Sequence, residues 1–234
     1  AHSRLGMISS SLPEILPPNI EGLHFHVLCE SSAAALVQVL ENFEKKFKKY
    51  LPNIKWLNMG GGHLITKDGY DVELLVNTLK YFKKKYQVEI ILEPGGAIAW
   101  QTGFLKTTII DIVENQGSPT AIMNASFTCH MPDCLEMPYR PEIMEGSHHA
   151  EKYPFRYNIG GVSCLAGDFL ADYSFSKPLK IGNTLTFQDM MHYTMVKTTM
   201  FNGIDHPSIG VIGADDRFEL LKTFTYQDYR DKLS

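Results

Sequence analysis

The chain has 234 residues, enough for one large domain or two modest ones with a substantial core. Hydrophobic residues make up 44% and charged residues 21%, a balance that excludes a disordered or collagen-like chain. The net charge of −4 offers no basic excess for a nucleic-acid partner, and no apolar run is long enough to cross a bilayer as a helix. The opening residues, Ala1-His2-Ser3-Arg4-Leu5-Gly6, do not read as a signal peptide, and a start without Met reads as cut or processed. The four cysteines, Cys29, Cys129, Cys134 and Cys164, are expected as free thiols of a reducing cytoplasm.

Residues 22–29, GLHFHVLC, alternate as a strand with His26 in its middle. Ser31 and Ser32 offer an N-cap to a helix over 33–50, which ends in a Lys-rich turn and stops at Pro52. A second strand at 54–59 runs into Gly60-Gly61-Gly62. A second amphipathic helix covers 71–86, and a third strand at 88–92 runs into Glu93-Pro94-Gly95-Gly96. This strand–helix alternation predicts parallel strands with right-handed crossovers and a site at their carboxyl ends. Three such units cannot close an eight-stranded barrel, so a partner chain or an upstream segment is expected to complete the sheet. Beyond about residue 100 the pattern becomes mainly β, with strands expected at 104–113, 120–127, 159–165, 183–189, 192–200 and 209–213. Residues 140–157 read as a loop. The domain boundary therefore falls between 1–100 and 101–234.

Glycines after a buried strand let backbone N–H groups approach an anion such as a phosphate, although a tight turn also needs glycine. Two glycine turns at neighbouring strand ends, 60–62 and 95–96, suggest a shared phosphate site. Glu93 is the first polar residue after VEIIL and requires a partner if buried. His26 reads either as a core histidine or as a site residue. Cys129, His130, Cys134, His148 and His149 match no metal-ligand spacing, so no metal is expected. Asp133, Glu136 and Arg140 lie in CHMPDCLEMPYRP, an exposed connection or a substrate-contacting loop. Cys164 lies in a glycine-bounded loop with Asp168 and is a candidate reactive thiol.

In chain order, Ser3-Arg4-Leu5-Gly6, Phe25-His26-Val27, Gly60-Gly61-Gly62, Glu93-Pro94-Gly95, Cys164…Gly167-Asp168 and Tyr193-Thr194…Phe201-Asn202-Gly203 resemble one family over nearly the whole chain. It is the alanine-racemase-like barrel decarboxylases that use pyridoxal 5′-phosphate, alongside ornithine and diaminopimelate decarboxylases. LHFHVLCE, NMGGGH, WQTG, CHMPDCLEMPYRP, CLAGD and HYTMVK look most like the branch that decarboxylates carboxynorspermidine or carboxyspermidine in polyamine biosynthesis. The resemblance implies an α/β plus β fold: the C-terminal part of a (β/α)8 barrel followed by a mainly β domain. It implies that His26 stacks on the cofactor ring. Glu93 binds the pyridine nitrogen and keeps it protonated, which makes the ring a better sink for the carbanion left by CO₂. The amides of Gly61, Gly62, Gly95 and Gly96, with the Tyr193 hydroxyl, hold the phosphate. Cys164 protonates Cα in the partner subunit's site, which implies a homodimer, and Asp168 contacts substrate or shapes the cysteine loop.

Two positions depart from the family pattern. Leu165 replaces the acidic residue that follows the cysteine in ornithine and diaminopimelate relatives. Asp133 and Glu136 are therefore the candidates for the cationic tail of the substrate. Gly96 stands where relatives carry a charged side chain. The lysine that carries the cofactor lies upstream of Ser3 in the family. The chain is thus expected to cover about the last three-fifths of a member, with about three and a half barrel strands, and to be inactive alone. The alternatives are a non-catalytic partner subunit and an ornithine- or diaminopimelate-type decarboxylase.

Overall fold

A computed structural model describes residues 3–234; Ala1 and His2, part of the segment read as lacking a signal peptide, lie outside the described residues. The chain divides into two compact units, one ending at Trp100 and one spanning Gln101–Ser234.

The first unit runs β1 (Gly22–His24), α1 (Ala33–Phe47), β2 (Trp56–Asn58), α2 (Val72–Tyr86), β3 (Glu89–Ile91) and the short α3 (Gly95–Ala99). The strands pair in parallel in the order β1-β2-β3. Ser32 Oγ caps α1 by accepting from the Ala35 N–H, and Asp71 Oδ1 caps α2 by accepting from the Leu74 N–H. Lys45 and Lys46, and Lys83 to Lys85, fill the last turns, where the helix dipole favours cations. Leu36, Leu40 and Phe43 recur at helical spacing on α1 and bury against Leu57, Met59 and Val88.

The alternating pattern at 22–29 overstates β1. The ladder closes at His24, although the Phe25 N–H still donates to the Asn58 carbonyl at 3.0 Å. The chain leaving β2 crosses there: a Cβ at Gly60 would lie 2.5 Å from the Phe25 carbonyl oxygen. His26 accordingly sits past the strand end with its side chain half exposed, and not within an apolar strand.

The second unit contains β4 (Phe104–Val113), β5 (Thr120–Met123), α4 (Phe127–His130), α5 (Asp133–Glu136), β6 (Gly146–Ser147), β7 (Phe155–Gly160), β8 (Phe169–Phe175), β9 (Thr184–Gln188), α6 (His192–Val196), β10 (Ile209–Ile212), β11 (Phe218–Lys222) and α7 (Tyr226–Leu233). Six strands form one sheet in the order β6-β8-β7-β5-β4-β9, antiparallel except for β5 with β7, and β10 pairs with β11 as a hairpin. Ile109, Met123, Phe127, Tyr173, Phe175 and Phe187 are its fully buried centre.

Several sequence readings shift here. Residues 192–200 form α6 and a following turn, not a strand. Thr194 is the buried residue of α6, and its hydroxyl donates to the sulfur of Met190, which precedes the helix. The strand expected at 120–127 stops at Met123, because Ser126 caps α4 by accepting from the Cys129 N–H. The strand expected at 159–165 lies earlier, at 155–160. The loop expected at 140–157 contains β6 and the start of β7. β8, β11 and α7 carry no clear alternation and were not anticipated.

His130 is almost fully buried at the end of α4, and its Nδ1 accepts from the Ser126 N–H at 3.2 Å. Burial, reinforced by repulsion from His206, pushes its imidazole down to about 4. The unfolded chain takes up a proton near pH 6.5 that the folded chain excludes until about pH 4. Stability is therefore full above pH 6.5 and falls through this window. His130→Gln is expected to remove about 3 kcal/mol of the stability difference between pH 7 and pH 4, read from denaturant titrations at both.

Candidate active site

The three strand exits of the first unit converge on one carboxylate. Glu93, two residues past β3, places Oε2 3.7 Å from His24 Nε2 and 3.8 Å from His26 Nδ1. Its Oε1 accepts from Asn58 Nδ2 at 2.7 Å, and Asn58 Oδ1 accepts from the Gly60 N–H at 2.9 Å. The Gly61 N–H makes a longer bond to His26 Nδ1 (3.4 Å), and the Glu93 N–H donates to the Gly60 carbonyl at 2.9 Å. His24 and Asn58 belong to the site and were missed by sequence reasoning. The available signals were the i, i+2 spacing of the two histidines, which puts them on one side of an extended chain, and the last position of β2.

The glycine turn is a close approach on both sides. A Cβ at Gly61 would lie 2.6 Å from the Glu93 carbonyl oxygen and 3.2 Å from His26 Cε1, and one at Gly62 would lie 2.2 Å from the Leu28 carbonyl oxygen. Gly60 and Gly62 also hold positive φ, at 70° and 81°. Gly95 and Gly96 open α3, and a Cβ on either would meet nothing within 4 Å. The Gly95 N–H donates to the Glu93 carbonyl at 2.8 Å, so it is partnered, as are the Gly60 and Gly61 amides. His63, after the turn, is buried, and burial pushes its imidazole down from the ordinary value.

In the second unit, Cys164 is exposed on the β7–β8 loop. Asp168 organises that loop from within. It is 4% exposed; its Oδ2 accepts from Ser126 Oγ (2.8 Å) and the Ser163 N–H (3.1 Å), and its Oδ1 from the Thr128 N–H (3.1 Å). The Cys164 N–H donates to Asn202 Oδ1 at 3.1 Å. Buried Cys134 differs, its thiol pushed up to about 11 by burial. Asp133 and Glu136 lie on α5, and the Lys197 ammonium, at the end of α6, donates to both carboxylates. Arg140 instead donates to the Ala171 and Asp172 carbonyls. Tyr193, on α6, is exposed. Among the described residues, the metal-type donors that gather are His24, His26 and Glu93, not the cysteines and histidines of 129–149.

Residues 25–191 match the profile described as the C-terminal sheet domain of pyridoxal-dependent decarboxylases. The chain is 51% identical over 232 residues to carboxyaminopropylagmatine decarboxylase from Synechocystis, covering 99% of this chain and 60% of that protein. It is 43% identical to carboxynorspermidine/carboxyspermidine decarboxylase from Campylobacter jejuni, covering 97% of this chain and 62% of the relative. The crystal structure of carboxynorspermidine decarboxylase from that organism, complexed with norspermidine, superposes with a TM-score of 0.86 over 99% of this chain and 65% of that one. The chain thus spans about three-fifths of the length of these relatives. It belongs to the pyridoxal-dependent decarboxylases. Its fold is the closing part of a (β/α)8 barrel followed by a mainly β domain, and pyridoxal 5′-phosphate is the cofactor of the family.

The residues present suit that group. Gly61 has no room for a side chain between His26 and Glu93, and open space lies over Gly95 and Gly96. A fixed carboxylate and an aromatic ring stand at the same strand ends.

The cysteine loop depends on a single buried carboxylate. Asp168→Ala strands three donors and is expected to cost about 3 kcal/mol. Hydrogen exchange should show accelerated exchange over residues 161–168 before it shows any change in the first unit.

Proposed function

We propose that this chain forms the cofactor-binding and proton-donating part of a decarboxylase that removes CO₂ from carboxynorspermidine or carboxyspermidine. The observation that carries the reading is Glu93, held by Asn58 and flanked by His26 above a glycine turn that admits no side chain. When bound, pyridoxal 5′-phosphate supplies an electron sink for the carbanion left at Cα. Glu93 holds the proton on the pyridine nitrogen, because an adjacent carboxylate favours the cationic ring. Its orientation is set beforehand by the Asn58 bond, so little reorganisation is required. His26 covers one face of the ring. The amides of Gly61, Gly62 and Gly96 would donate to the phosphate, Gly61 exchanging its long bond to His26 Nδ1 for it and Gly95 joining them on leaving the Glu93 carbonyl. Cys164 of one protomer would deliver a proton from Sγ to Cα in its partner's site and so decide the product. Asp168 acts by fixing the loop that carries this thiol.

We assign the cationic tail of the substrate to Asp133 and Glu136. A substrate amine must displace the Lys197 ammonium from them, an exchange of like charges that leaves the carboxylates paired throughout. A homodimer sharing its active sites fits the apolar side chains exposed on β10 and β11 (Val211, Ile212, Phe218, Leu220 and Leu221). Unpaired cysteines fit the cytoplasm, and no helix of the described residues is long and apolar enough to cross a membrane. The 234 residues alone are expected not to turn over. Of the seventeen lysines, Lys49, Lys55, Lys85 and Lys197 pair with Glu14, Glu21, Glu44 and the α5 carboxylates, respectively. The test is a titration with pyridoxal 5′-phosphate, borohydride reduction and peptide mapping. Stoichiometric label on a lysine of this chain, Lys197 included, would overturn that expectation.

The 51% identity to carboxyaminopropylagmatine decarboxylase favours a second substrate, in which the distal cation is a guanidinium. Comparing kcat/KM on carboxynorspermidine, carboxyspermidine and carboxyaminopropylagmatine decides between them, with diaminopimelate and ornithine as controls. Preference for diaminopimelate or ornithine would sink both polyamine readings.

In the active enzyme, Glu93→Gln is expected to lower kcat at least a hundredfold while weakening cofactor binding less than tenfold (roughly 3 against 1 kcal/mol). Cys164→Ala is expected to leave cofactor binding unchanged and to slow or misdirect protonation at Cα, read as altered turnover or product composition in deuterium oxide. Unchanged turnover and products would remove the thiol from the reaction.

A further inference from the structure

His24, His26 and Glu93 present three donor atoms within 4.8 Å of one another. Two imidazoles and one carboxylate are a donor set that first-row divalent cations accept, with further coordination positions left for water. The carboxylate is already divided suitably: Oε1 is held by Asn58, and Oε2 faces both histidines at 3.7 and 3.8 Å. An ion about 2.1 Å from each donor needs separations of roughly 3–3.5 Å, so the widest donor pair closes by at most about 1.3–1.8 Å, shared between two side chains. The three side chains are each about half exposed, and His26 Nδ1 gives up only its long 3.4 Å bond from the Gly61 N–H to join them. Asn58 then serves as the outer partner that fixes the ligating carboxylate. His24 has no part in the cofactor roles assigned above, so its presence beside Glu93 is otherwise unaccounted for.

We propose that the cofactor-free site binds one divalent transition-metal ion through His24, His26 and Glu93, and that this ion and pyridoxal 5′-phosphate exclude each other. Only the exclusion rests on the functional reading above, because it is His26 and Glu93 that both occupants would claim. The ion site itself stands on the three side chains.

The test uses the purified protein stripped of cofactor and titrated with Co²⁺ alone, followed by its visible absorption. One Co²⁺ per chain is expected, with bands of a nitrogen- and oxygen-ligated ion. His24→Ala and Glu93→Gln should each weaken uptake at least tenfold while keeping a native circular-dichroism spectrum. The cofactor-loaded protein should take up none. Absence of saturable uptake near one equivalent, or uptake unchanged in His24→Ala, overturns the site. Equal uptake by loaded protein overturns the exclusion. Failure of the stripped protein to rebind pyridoxal 5′-phosphate while still binding Co²⁺ would instead refute the cofactor reading and leave the ion site standing.

Discussion

The close backbone approach at Gly60-Gly61-Gly62 is the constraint on which the first unit's site depends. β1 and β3 are not neighbours in the sheet; β2 lies between them. Side chains at their ends meet only if the chain leaving β2 stays thin. Positive φ at Gly60 and Gly62 turns it sharply, and the missing side chain at Gly61 leaves His26 and the Glu93 carbonyl nearly in contact across it. The backbone supplies bonds in both directions: the Gly60 carbonyl to Glu93, and the Gly60 and Gly61 amides to Asn58 and His26. A single methyl group at Gly61 would therefore press on His26 and Glu93 together.

The second unit reaches the same end by a different route. Its exposed thiol sits on a loop that no strand ladder could fix, so the loop is fixed from inside by a buried carboxylate. Asp168 gathers a hydroxyl and two amides from segments more than thirty residues apart in sequence. A buried charge tolerates such a place only when its lone pairs are matched. That requirement makes Asp168 a positioning residue for Cys164, with Asn202 holding the loop's far side.

The first unit was legible because its signals are local. Caps at Ser32 and Asp71, apolar spacing on the helices and glycines after strands each act within a few residues. His24 and Asn58 had only weak local signals, since their partner Glu93 lies 35 or more positions away and the parallel register brings them together. In the second unit the β-patterning misled at 192–200. The tyrosine, methionine and threonine run there reads as extended, yet a single helical turn forms at His192–Val196 with Thr194 alone buried, and the Lys197 N–H closes it on the Tyr193 carbonyl. β8 was missed because its buried end, Tyr173-Ser174-Phe175, includes a serine whose hydroxyl is satisfied by the His149 carbonyl. Tertiary pairing, not propensity, made it a strand.

The position of Lys197 bears on how such a site could choose a substrate. Two carboxylates facing each other without a cation repel, and α5 would be strained by Asp133 and Glu136 on one turn. Lys197 relieves that repulsion from within the chain, on a flexible stem whose ammonium has the chemistry of a polyamine terminus. A substrate that offers an equivalent ammonium replaces one charge by another and pays little electrostatic penalty. Diaminopimelate carries a carboxylate beside its distal ammonium, and that carboxylate would face two like charges. On the assignment proposed above, the same pair would support the fold when empty and favour a cationic tail when filled.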